Sequence, residues 1–328
     1  MTKTEIARKY RREHGKDMPA LKLARIMYKE NNLVFKDLDN ARWTLRSIEG
    51  KTGKKKQSVT KEFEMKDARP SNPYNLPASD ETIYEPYHIK GHSRVGILSD
   101  IHVPYHSVEA LTLAIQHLKK KKIDALLLNG DAIDCHQLSR FVKEPDKRSF
   151  ADELNTFSQL FDVLEKQLKC KIYFKLGNHE SRYQRFLLEK AKELIGVKEF
   201  LFENIIKARA RGIEIIGDKA VMKLNALNGI HGHEYVGGIS APVNVARGLY
   251  LRGKVSAFQG HNHSSSSHTE SDMNGKVITT HSIGCLCELH PAYMPLNKWS
   301  WGFAEVDLDA NGVDYEFYNH TIYKGKVY

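Results

Sequence analysis

Residues 95–106, VGILSDIHVPYH, are an apolar run that ends at two potential metal ligands, Asp100 and His102. Side chains alternate along an extended chain, so we expect Asp100 and His102 on one side and Ile101 on the other. That spacing lets two side chains reach one metal ion. Taken alone, the stretch is also typical of an ordinary strand end with a surface histidine, so the rest of the chain has to decide.

Four further apolar runs end in the same way. DALLLNGD ends at Asp131, KIYFKLGNHE at Asn178 and His179, LNGIHGHE carries His231 and His233, and VSAFQGHNH ends at His261 and His263. Longer helical segments separate these runs, which is typical of an α/β domain. Open α/β sheets carry their ligands at the carboxyl ends of the strands, so five such endings predict one shared site.

The types of ligand indicate which metals the site takes. Imidazoles, carboxylates and an amide oxygen suit Mn, Fe, Zn or Ni better than Mg or Ca, which prefer oxygen ligands throughout. The set exceeds what one ion needs, so we expect two divalent ions, with manganese the first choice. Two metals ~3.5–4 Å apart can hold a hydroxide between them and neutralise phosphate oxygens during an in-line displacement.

These motifs, in this order, resemble those of the calcineurin-like metallophosphoesterase superfamily. The resemblance covers the chain from residue 94 to the C-terminus and rests on D-x-H, GD-x-x-D, GNHE, HGH and GHNH. It implies a four-layer α/β/β/α sandwich with the metals at the carboxyl ends of the strands. It also implies an enzyme that hydrolyses phosphate esters.

The same resemblance implies a role for each ligand. One ion is held by Asp100, His102 and His263, the other by Asn178, His231 and His261, and Asp131 bridges them. Asn178 also contacts the phosphate. His179 is left free of metal and protonates the leaving oxygen or stabilises the developing charge.

Five other residues near these motifs have expected roles outside the ligand set. We expect Asp134 to orient a ligand through a histidine ring nitrogen, and His233 to contact the substrate or support a ligand. Arg182 either binds phosphate with two hydrogen bonds or lies on a solvated helix face. His106 either lines the cleft or lies on the surface. Glu180 is expected to pair with a neighbouring arginine.

The first part of the chain differs in charge from the rest. The 328 residues carry a net charge of +10, and residues 1–60 hold 16 Lys or Arg against 7 Asp or Glu. Residues 18–32 and 41–50 predict two amphipathic helices, with Asp37 or Asp39 as a cap and Trp43 facing the first helix. Residues 1–56 therefore resemble a helix-turn-helix-like module that binds DNA or RNA. A helical appendage that packs on the catalytic domain or mediates oligomerisation is the alternative.

Residues 57–93 are predicted to be an extended linker, because they hold four of the ten prolines and show no sustained period. The catalytic domain is then expected at 94–328. Within it, the charged segment 180–225 predicts two helices. The four cysteines are few and irregularly spaced, which argues against disulfides and for a reducing compartment.

The superfamily does not fix the substrate. GNHESR also resembles serine/threonine protein phosphatases, but those carry a GDYVDRG-like motif where this chain has GDAIDCH. The GHNH ending and the basic module favour a nuclease-like phosphodiesterase acting on DNA or RNA, similar to bacterial or phage-encoded phosphoesterases. A small-molecule or cyclic-nucleotide phosphodiesterase and a nucleic-acid-binding protein with a purely structural site remain alternatives.

No run of ~18 apolar residues and no signal peptide is evident, so no membrane partner is expected. The expected location is the cytoplasm of a bacterial cell or a phage-infected host. The oligomeric state stays open.

Overall fold

The computed structural model describes residues 2–15, 18–49, 74–77, 79–141, 148–235 and 243–328. The chain divides into two compact units, Met1–Glu81 and Thr82–Tyr328. Much of the predicted linker 57–93 lies outside the described residues. Its Tyr87–Ile89 stretch, however, is a strand of the second unit.

The described residues of the first unit contain three helices: α1 (Lys3–His14), α2 (Ala20–Glu30) and α3 (Leu38–Ile48). A small apolar core holds them together, and its fully buried members include Leu23, Met27, Phe35 and Leu45. Leu23 and Met27 on α2, and Ala41 and Leu45 on α3, are each four residues apart, which is why both helices bury one face.

The sequence predicted α2 and α3 but not α1. Asp37 caps α3 by accepting a hydrogen bond from the Asn40 backbone N–H at 2.6 Å, so the predicted cap is confirmed. The prediction for Trp43 was wrong, because 57% of the residue is exposed. α1 begins with a capping box, in which Thr2 and Glu5 exchange hydrogen bonds, and this T-x-x-E pattern was the overlooked signal.

The second unit contains two β-sheets and flanking helices. Its strands are β1 (Tyr87–Ile89), β2 (Arg94–Leu98), β3 (Ala125–Asn129), β4 (Lys171–Lys175), β5 (Glu214–Ile216), β6 (Met222–Leu224), β7 (Leu227–Gly229), β8 (Ala257–Gln259), β9 (Ser266–Ser271), β10 (Val277–Ser282), β11 (Trp301–Leu308), β12 (Tyr315–Tyr323) and β13 (Lys326–Val327). Its helices are α4 (Val108–Lys121), α5 (Phe150–Leu168), α6 (Ser181–Lys190), α7 (Phe202–Ile205) and α8 (Val245–Gly253). Short 3₁₀ turns lie at His136–Leu138, Lys192–Leu194, Lys198–Phe200 and Arg209–Arg211.

One sheet has seven strands in the order β13-β12-β11-β2-β3-β4-β5, and the other has six in the order β1-β6-β7-β8-β10-β9. β2, β3, β4 and β5 are parallel, whereas β11 and β12 add to them in antiparallel fashion. In the six-stranded sheet, β7, β8 and β10 run parallel. The carboxyl ends of the central parallel strands therefore carry the loops that form the site.

The side chains of β3 show how the layers stack. Leu126 and Leu128 belong to the core beneath α4 and α5, while Ala125 and Leu127 belong to the core shared with the other sheet. A third cluster, including Leu249 of α8, covers the outer face of the six-stranded sheet. The fold is thus a four-layer α/β/β/α sandwich preceded by a helical unit, as the sequence predicted.

All five ligand-bearing apolar runs form strands, namely β2, β3, β4, β7 and β8. The prediction of two helices in 180–225 was only half right. α6 occupies Ser181–Lys190, but the remainder contains one turn of helix at Phe202–Ile205 and several 3₁₀ turns.

Candidate active site

The first motif does not continue as a strand through its ligands. β2 ends at Leu98, and the backbone then takes left-handed conformations at Asp100 (φ 54°) and His102 (φ 52°). The prediction that the two side chains converge because they alternate along an extended strand was therefore wrong. They converge because a tightly folded loop turns both toward the interior, where both are buried.

Asp100, His102 and His263 form the first group of donors. His263 Nε2 lies 3.1 Å from Asp100 Oδ1 and 3.1 Å from His102 Nε2, and His102 Nε2 lies 4.0 Å from Asp100 Oδ1. All three residues are buried. The loop after β8, which supplies His263, thus meets the loop after β2.

Asp131, His231 and His261 form the second group. His231 Nε2 lies 3.2 Å from Asp131 Oδ2, and the rings of His231 and His261 are 5.2 Å apart. Asp131 Oδ2 is also 3.9 Å from His102 Nε2, so this carboxylate lies between the two groups. Asn178 follows β4, and its side-chain oxygen is buried without a hydrogen-bond partner.

The carboxylates and imidazoles perturb one another strongly. Burial disfavours the charge on Asp100, but the His263 imidazole outweighs it and lowers the pKa of Asp100 to about 2. Burial also opposes ionisation of Asp131, yet His179 and His231 hold the pKa of Asp131 well below its usual range. Conversely, Asp131 overcomes the burial of His231 and raises the pKa of His231 to about 10. The site therefore concentrates anionic carboxylates that attract cations.

The donors fit a pair of divalent ions. The Nε2 atoms of His102 and His263 lie 3.1 Å apart, and Asn178 Oδ1 and His231 Nε2 are buried without a hydrogen-bond partner, so several atoms that can bind a metal are grouped in one place. Asp131 belongs to two groups of three potential donors, one with His102 and His179 and one with His231 and His261, and Asp100, His102 and His263 form a third. When bound, such ions polarise the phosphate and lower the pKa of a water nucleophile.

In both His102 and His231, the ring nitrogen that points away from the site, Nδ1, is held by a hydrogen bond. His102 Nδ1 lies 2.9 Å from Asp134 Oδ1, and His231 Nδ1 lies 2.7 Å from the Asn129 carbonyl oxygen. Because Nδ1 is the donor to these partners, Nε2 is the nitrogen that faces the site, and an ion bound there would displace the Nε2 proton that the raised pKa of His231 favours in the metal-free site. Asp134 therefore lies where it can orient His102.

His179 and Arg182 lie together at the edge of this cluster. The Arg182 guanidinium donates to His179 Nε2 at 2.9 Å and to the Asp134 carbonyl at 2.8 Å. His179 Nδ1 lies 3.0 Å from both the carbonyl and the carboxylate of Asp134. His179 Nε2 is 3.7 Å from Asp131 Oδ2. Arg182 thus contacts the candidate acid rather than lying on a solvated helix face.

His233 and His106 lie farther from the donor atoms. The ring of His233 is 5.4 Å from that of His231, but His233 belongs to none of the three-donor groups found in the described residues. His106 is half-buried and bridges to the backbone of Cys287. Cys287 Sγ in turn lies 3.9 Å from His263 Nδ1. All four cysteines carry free thiols, which confirms the absence of disulfides.

Two glutamates fix the ligand loops: the sequence predicted the wrong partner for the buried Glu180 and no role for the half-buried Glu234. Glu180 accepts hydrogen bonds from the backbone N–H groups of Asp131 (3.0 Å), Ala132 (2.8 Å), Ile133 (3.2 Å) and Gly177 (2.7 Å). The expected pairing of Glu180 with a neighbouring arginine is therefore wrong. Burial and then Asp131 raise the pKa of Glu180 to about 7, while the N–H groups act in the opposite direction.

Glu234 plays a matching part in the loop after β7. Its carboxylate accepts hydrogen bonds from the backbone N–H groups of His231 at 3.0 Å and Gly232 at 2.7 Å. Lys175, whose side chain is fully buried, lies 3.1 Å from the same carboxylate. The loops that carry Asp131 and His231 are therefore each fastened through their backbone.

Glycine is required where these loops approach most closely. A Cβ at Gly260 would lie 1.9 Å from Ser99 Oγ and 2.6 Å from Asp100 Oδ2. A Cβ at Gly177 would lie 2.3 Å from Asp131 Oδ1. The glycines beside the ligands thus allow backbone to contact the carboxylates directly.

The chain belongs to the calcineurin-like phosphoesterase family, whose sequence model matches residues 93–323. It is accordingly a metal-dependent hydrolase of phosphoric esters, and its fold and donor cluster agree with that class. A comparison with curated proteins finds no match.

Solved structures show weak similarity. Vps29 from Entamoeba histolytica, complexed with Zn²⁺, has a TM-score of 0.38 and 13% identity over 72% of this chain and 96% of its own. The phosphoesterase YfcE from E. coli has a TM-score of 0.33 and 13% identity, over 65% of this chain and 88% of its own. A dimetal phosphatase from Danio rerio has a TM-score of 0.32 and 11% identity, over 69% of this chain and 98% of its own. The family assignment therefore rests on the sequence match.

A separate observation concerns membranes. Within the described residues, no helix combines the length and the apolar character needed to cross a bilayer.

Proposed function

We propose that this chain is a manganese-dependent phosphodiesterase that cleaves DNA or RNA, and that its helical N-terminal unit binds the polynucleotide. The observation that supports this most is a basic stripe on α2. Lys22, Arg25 and Lys29 are all exposed and recur at helical spacing, opposite the buried Leu23 and Met27. Such a stripe can neutralise several phosphates of one strand.

The surface of the unit as a whole favours anions. Among residues 2–15 and 18–49, the exposed acidic side chains are Glu5, Glu13, Glu30, Asp37 and Asp39, and they are outnumbered by the exposed Lys and Arg residues, which are Lys3, Lys9, Arg12, Lys22, Arg25, Lys29, Lys36 and Arg46. On α3, the exposed Trp43 lies one turn before Arg46. Aromatic rings beside arginines suit single-stranded nucleic acid, because bases stack on such rings. These features favour a binding role for the unit over that of a helical appendage that only packs on another domain.

At the active site, His179 is proposed to deliver a proton to the leaving oxygen. Its Nδ1 is held by Asp134, so Nε2 is the atom that can face a substrate. In this structure Arg182 donates a hydrogen bond to that atom. When a substrate enters, this bond must break, and Arg182 can then donate to the phosphate instead. Asn178, with its unpartnered oxygen, and Asp131 complete the proposed catalytic set.

The first experiment is a substrate panel on full-length protein reconstituted with manganese. It compares bis-p-nitrophenyl phosphate, p-nitrophenyl phosphate, a 2′,3′-cyclic nucleotide, and single- and double-stranded DNA and RNA. Polynucleotide cleavage that disappears in Asp131→Asn supports the proposal. Cleavage of the small esters alone contradicts it and assigns a small-molecule enzyme instead.

The second experiment tests the N-terminal unit. Reversing the stripe with Lys22→Glu, Arg25→Glu and Lys29→Glu should weaken polynucleotide binding and reduce the salt dependence of log K by about 2–3, while leaving hydrolysis of bis-p-nitrophenyl phosphate unchanged. A matched control reverses three exposed lysines of the other unit, Lys120, Lys276 and Lys326, for the same change in net charge.

Equal effects of the two triple variants on polynucleotide binding would contradict a role for the stripe. His179→Ala provides a third test. We expect intact metal content and a loss of ~10²-fold or more on substrates with poor leaving groups, with a smaller loss for p-nitrophenolate, which leaves without a proton. An equal loss on both would argue against proton delivery.

A further inference from the structure

A second cluster of metal-type donors lies outside the active site, between α4 and the strands that it covers. Its members are His117 on α4, Glu305 on β11 and His320 on β12. Glu305 is opposite Gly96 in the β11–β2 pair, before β2 ends and the active-site loop begins. The cluster shares no residue with the active site.

The donor atoms of this cluster lie close together. Glu305 Oε1 is 3.5 Å from His320 Nε2 and 3.8 Å from His117 Nε2, and all three donor atoms lie within 4.8 Å of one another. The rings of His117 and His320 are 4.4 Å apart at their centroids. Two imidazole nitrogens thus converge on one carboxylate, from a helix and a neighbouring strand.

These atoms are buried and poorly satisfied. The Glu305 side chain is 1% exposed, and neither of its oxygens makes a hydrogen bond of suitable geometry. The Nε2 atoms of His117 and His320 are likewise buried without a hydrogen-bond partner. A carboxylate in such surroundings is costly unless a cation compensates its charge.

Lys121 supplies part of that compensation. Its Nζ lies 2.7 Å from Glu305 Oε1, one turn after His117 on α4. The Lys121 side chain is 40% exposed, however, so its flexible stem can carry the ammonium out into water. With the ammonium in this position, the Nε2 atoms of His117 and His320 still have no hydrogen-bond partner.

We propose that His117, Glu305 and His320 form a separate metal site that binds one divalent transition-metal ion, with Zn²⁺ as the best match. Two imidazoles and one carboxylate are a known three-ligand set for zinc, with water in the fourth position. The ion would join α4 to the β11–β12 hairpin. Because the three ligands are far apart in sequence, its main effect would be to stabilise the fold.

The first test measures zinc stoichiometry on metal-stripped, full-length protein by equilibrium dialysis and elemental analysis. His320→Phe should bind one equivalent fewer than the wild type, and the new ring has Phe303 as a neighbour, 4.9 Å from the present imidazole. Glu305→Gln should also lose one equivalent. The control is His88→Phe at an exposed histidine of β1, which should lose none.

Hydrolysis of bis-p-nitrophenyl phosphate in the presence of manganese should be the same in His320→Phe and wild type, which separates this site from the active site. Unchanged zinc stoichiometry in both His320→Phe and Glu305→Gln would overturn the proposal. Equal losses in His88→Phe would also overturn it, since the lost zinc would then be nonspecific.

The second test does not depend on disturbing the core. Lys121→Met removes the competing ammonium from an accessible position, so the zinc equivalent lost in His320→Phe should bind about threefold to tenfold more tightly. Zinc should also raise the melting temperature of Lys121→Met more than that of His320→Phe. Equal zinc affinity in Lys121→Met and wild type, measured by chelator competition, would contradict the site.

Discussion

Replacing Glu180 by glutamine should loosen the active site without changing its shape. Each Glu180 oxygen accepts two backbone N–H groups: Asp131 and Gly177 bond to Oε2, and Ala132 and Ile133 bond to Oε1. A glutamine amide has only one acceptor oxygen. Its NH₂ group would face two N–H donors, whichever way the amide is oriented.

The cost follows from those two donors. An unsatisfied buried N–H group costs roughly 1–3 kcal/mol, so two cost roughly 2–6 kcal/mol of unfolding free energy. In a domain of this size that corresponds to a fall in melting temperature of roughly 5–20 °C. Since Asp131 is placed by the same bonds, metal affinity should fall by roughly 10–100-fold.

Urea unfolding and metal titration at pH 8.5 measure both effects, because the Glu180 carboxylate, with its pKa of about 7, is then ionised. The control is Glu165→Gln, which alters a pair with Arg211 at 2.7 Å in which Glu165 is 36% exposed. That change should cost less than about 1 kcal/mol. If Glu180→Gln unfolds at the same urea concentration as the control and binds metal as tightly as wild type, the four backbone hydrogen bonds to Glu180 do not stabilise the active site.

Three further predictions concern other parts of the second unit. Gly260→Ala forces a Cβ to within 1.9 Å of Ser99 Oγ, so manganese-dependent hydrolysis of bis-p-nitrophenyl phosphate should fall by ~10²-fold or more; near-normal turnover would show that the loop yields easily. Burial lowers the pKa of His281 to about 4, below the ~6.5 of an unfolded chain. The neutral imidazole therefore contributes about 3 kcal/mol to the free energy of unfolding above pH 6.5, and this contribution is lost as the pH falls toward 4, because the unfolded chain takes up the proton first. His281→Gln should therefore reduce the difference in urea midpoint between pH 5 and pH 7, and an unchanged difference would refute this. Glu234→Gln leaves the buried Lys175 ammonium without its anion and should lower the free energy of unfolding by roughly 3–5 kcal/mol. Adding Lys175→Met should restore much of that free energy, and no restoration would show that the loss has another cause.

The ligand-bearing strand ends could be predicted because their chemistry is local. Asp131, for example, follows five buried residues and a glycine, and nothing else in such a run explains a carboxylate. The conformation of the ligand loops could not be predicted, because the left-handed backbone at Asp100 and His102 depends on the neighbouring loops. Glu180 was misassigned for a related reason. Its partners are backbone N–H groups of another motif, which leave no trace in side-chain spacing.

The cluster of His117, Glu305 and His320 shows the same limit over a longer distance. Each residue looks ordinary in its own segment, and only the pairing of β11 with β12 beneath α4 brings them together. Trp43 shows the reverse case. The sequence predicted Trp43 on the face toward α2, but Ala41 and Leu45 form the buried face of α3, and Trp43, two residues from each, lies on the opposite face.

The left-handed backbone of the ligand loops has an evolutionary consequence. Five of the predicted ligands have positive φ: Asp100, His102, Asp131, His261 and His263. Each such conformation costs a non-glycine residue roughly 1–2 kcal/mol, which a glycine would not incur. A lineage that no longer needs hydrolysis can therefore relieve this backbone strain by replacing ligands with glycine as it loses activity. Descendants of this fold should retain the sandwich long after the chemistry has gone, and only continued selection on catalysis keeps these aspartates and histidines in place.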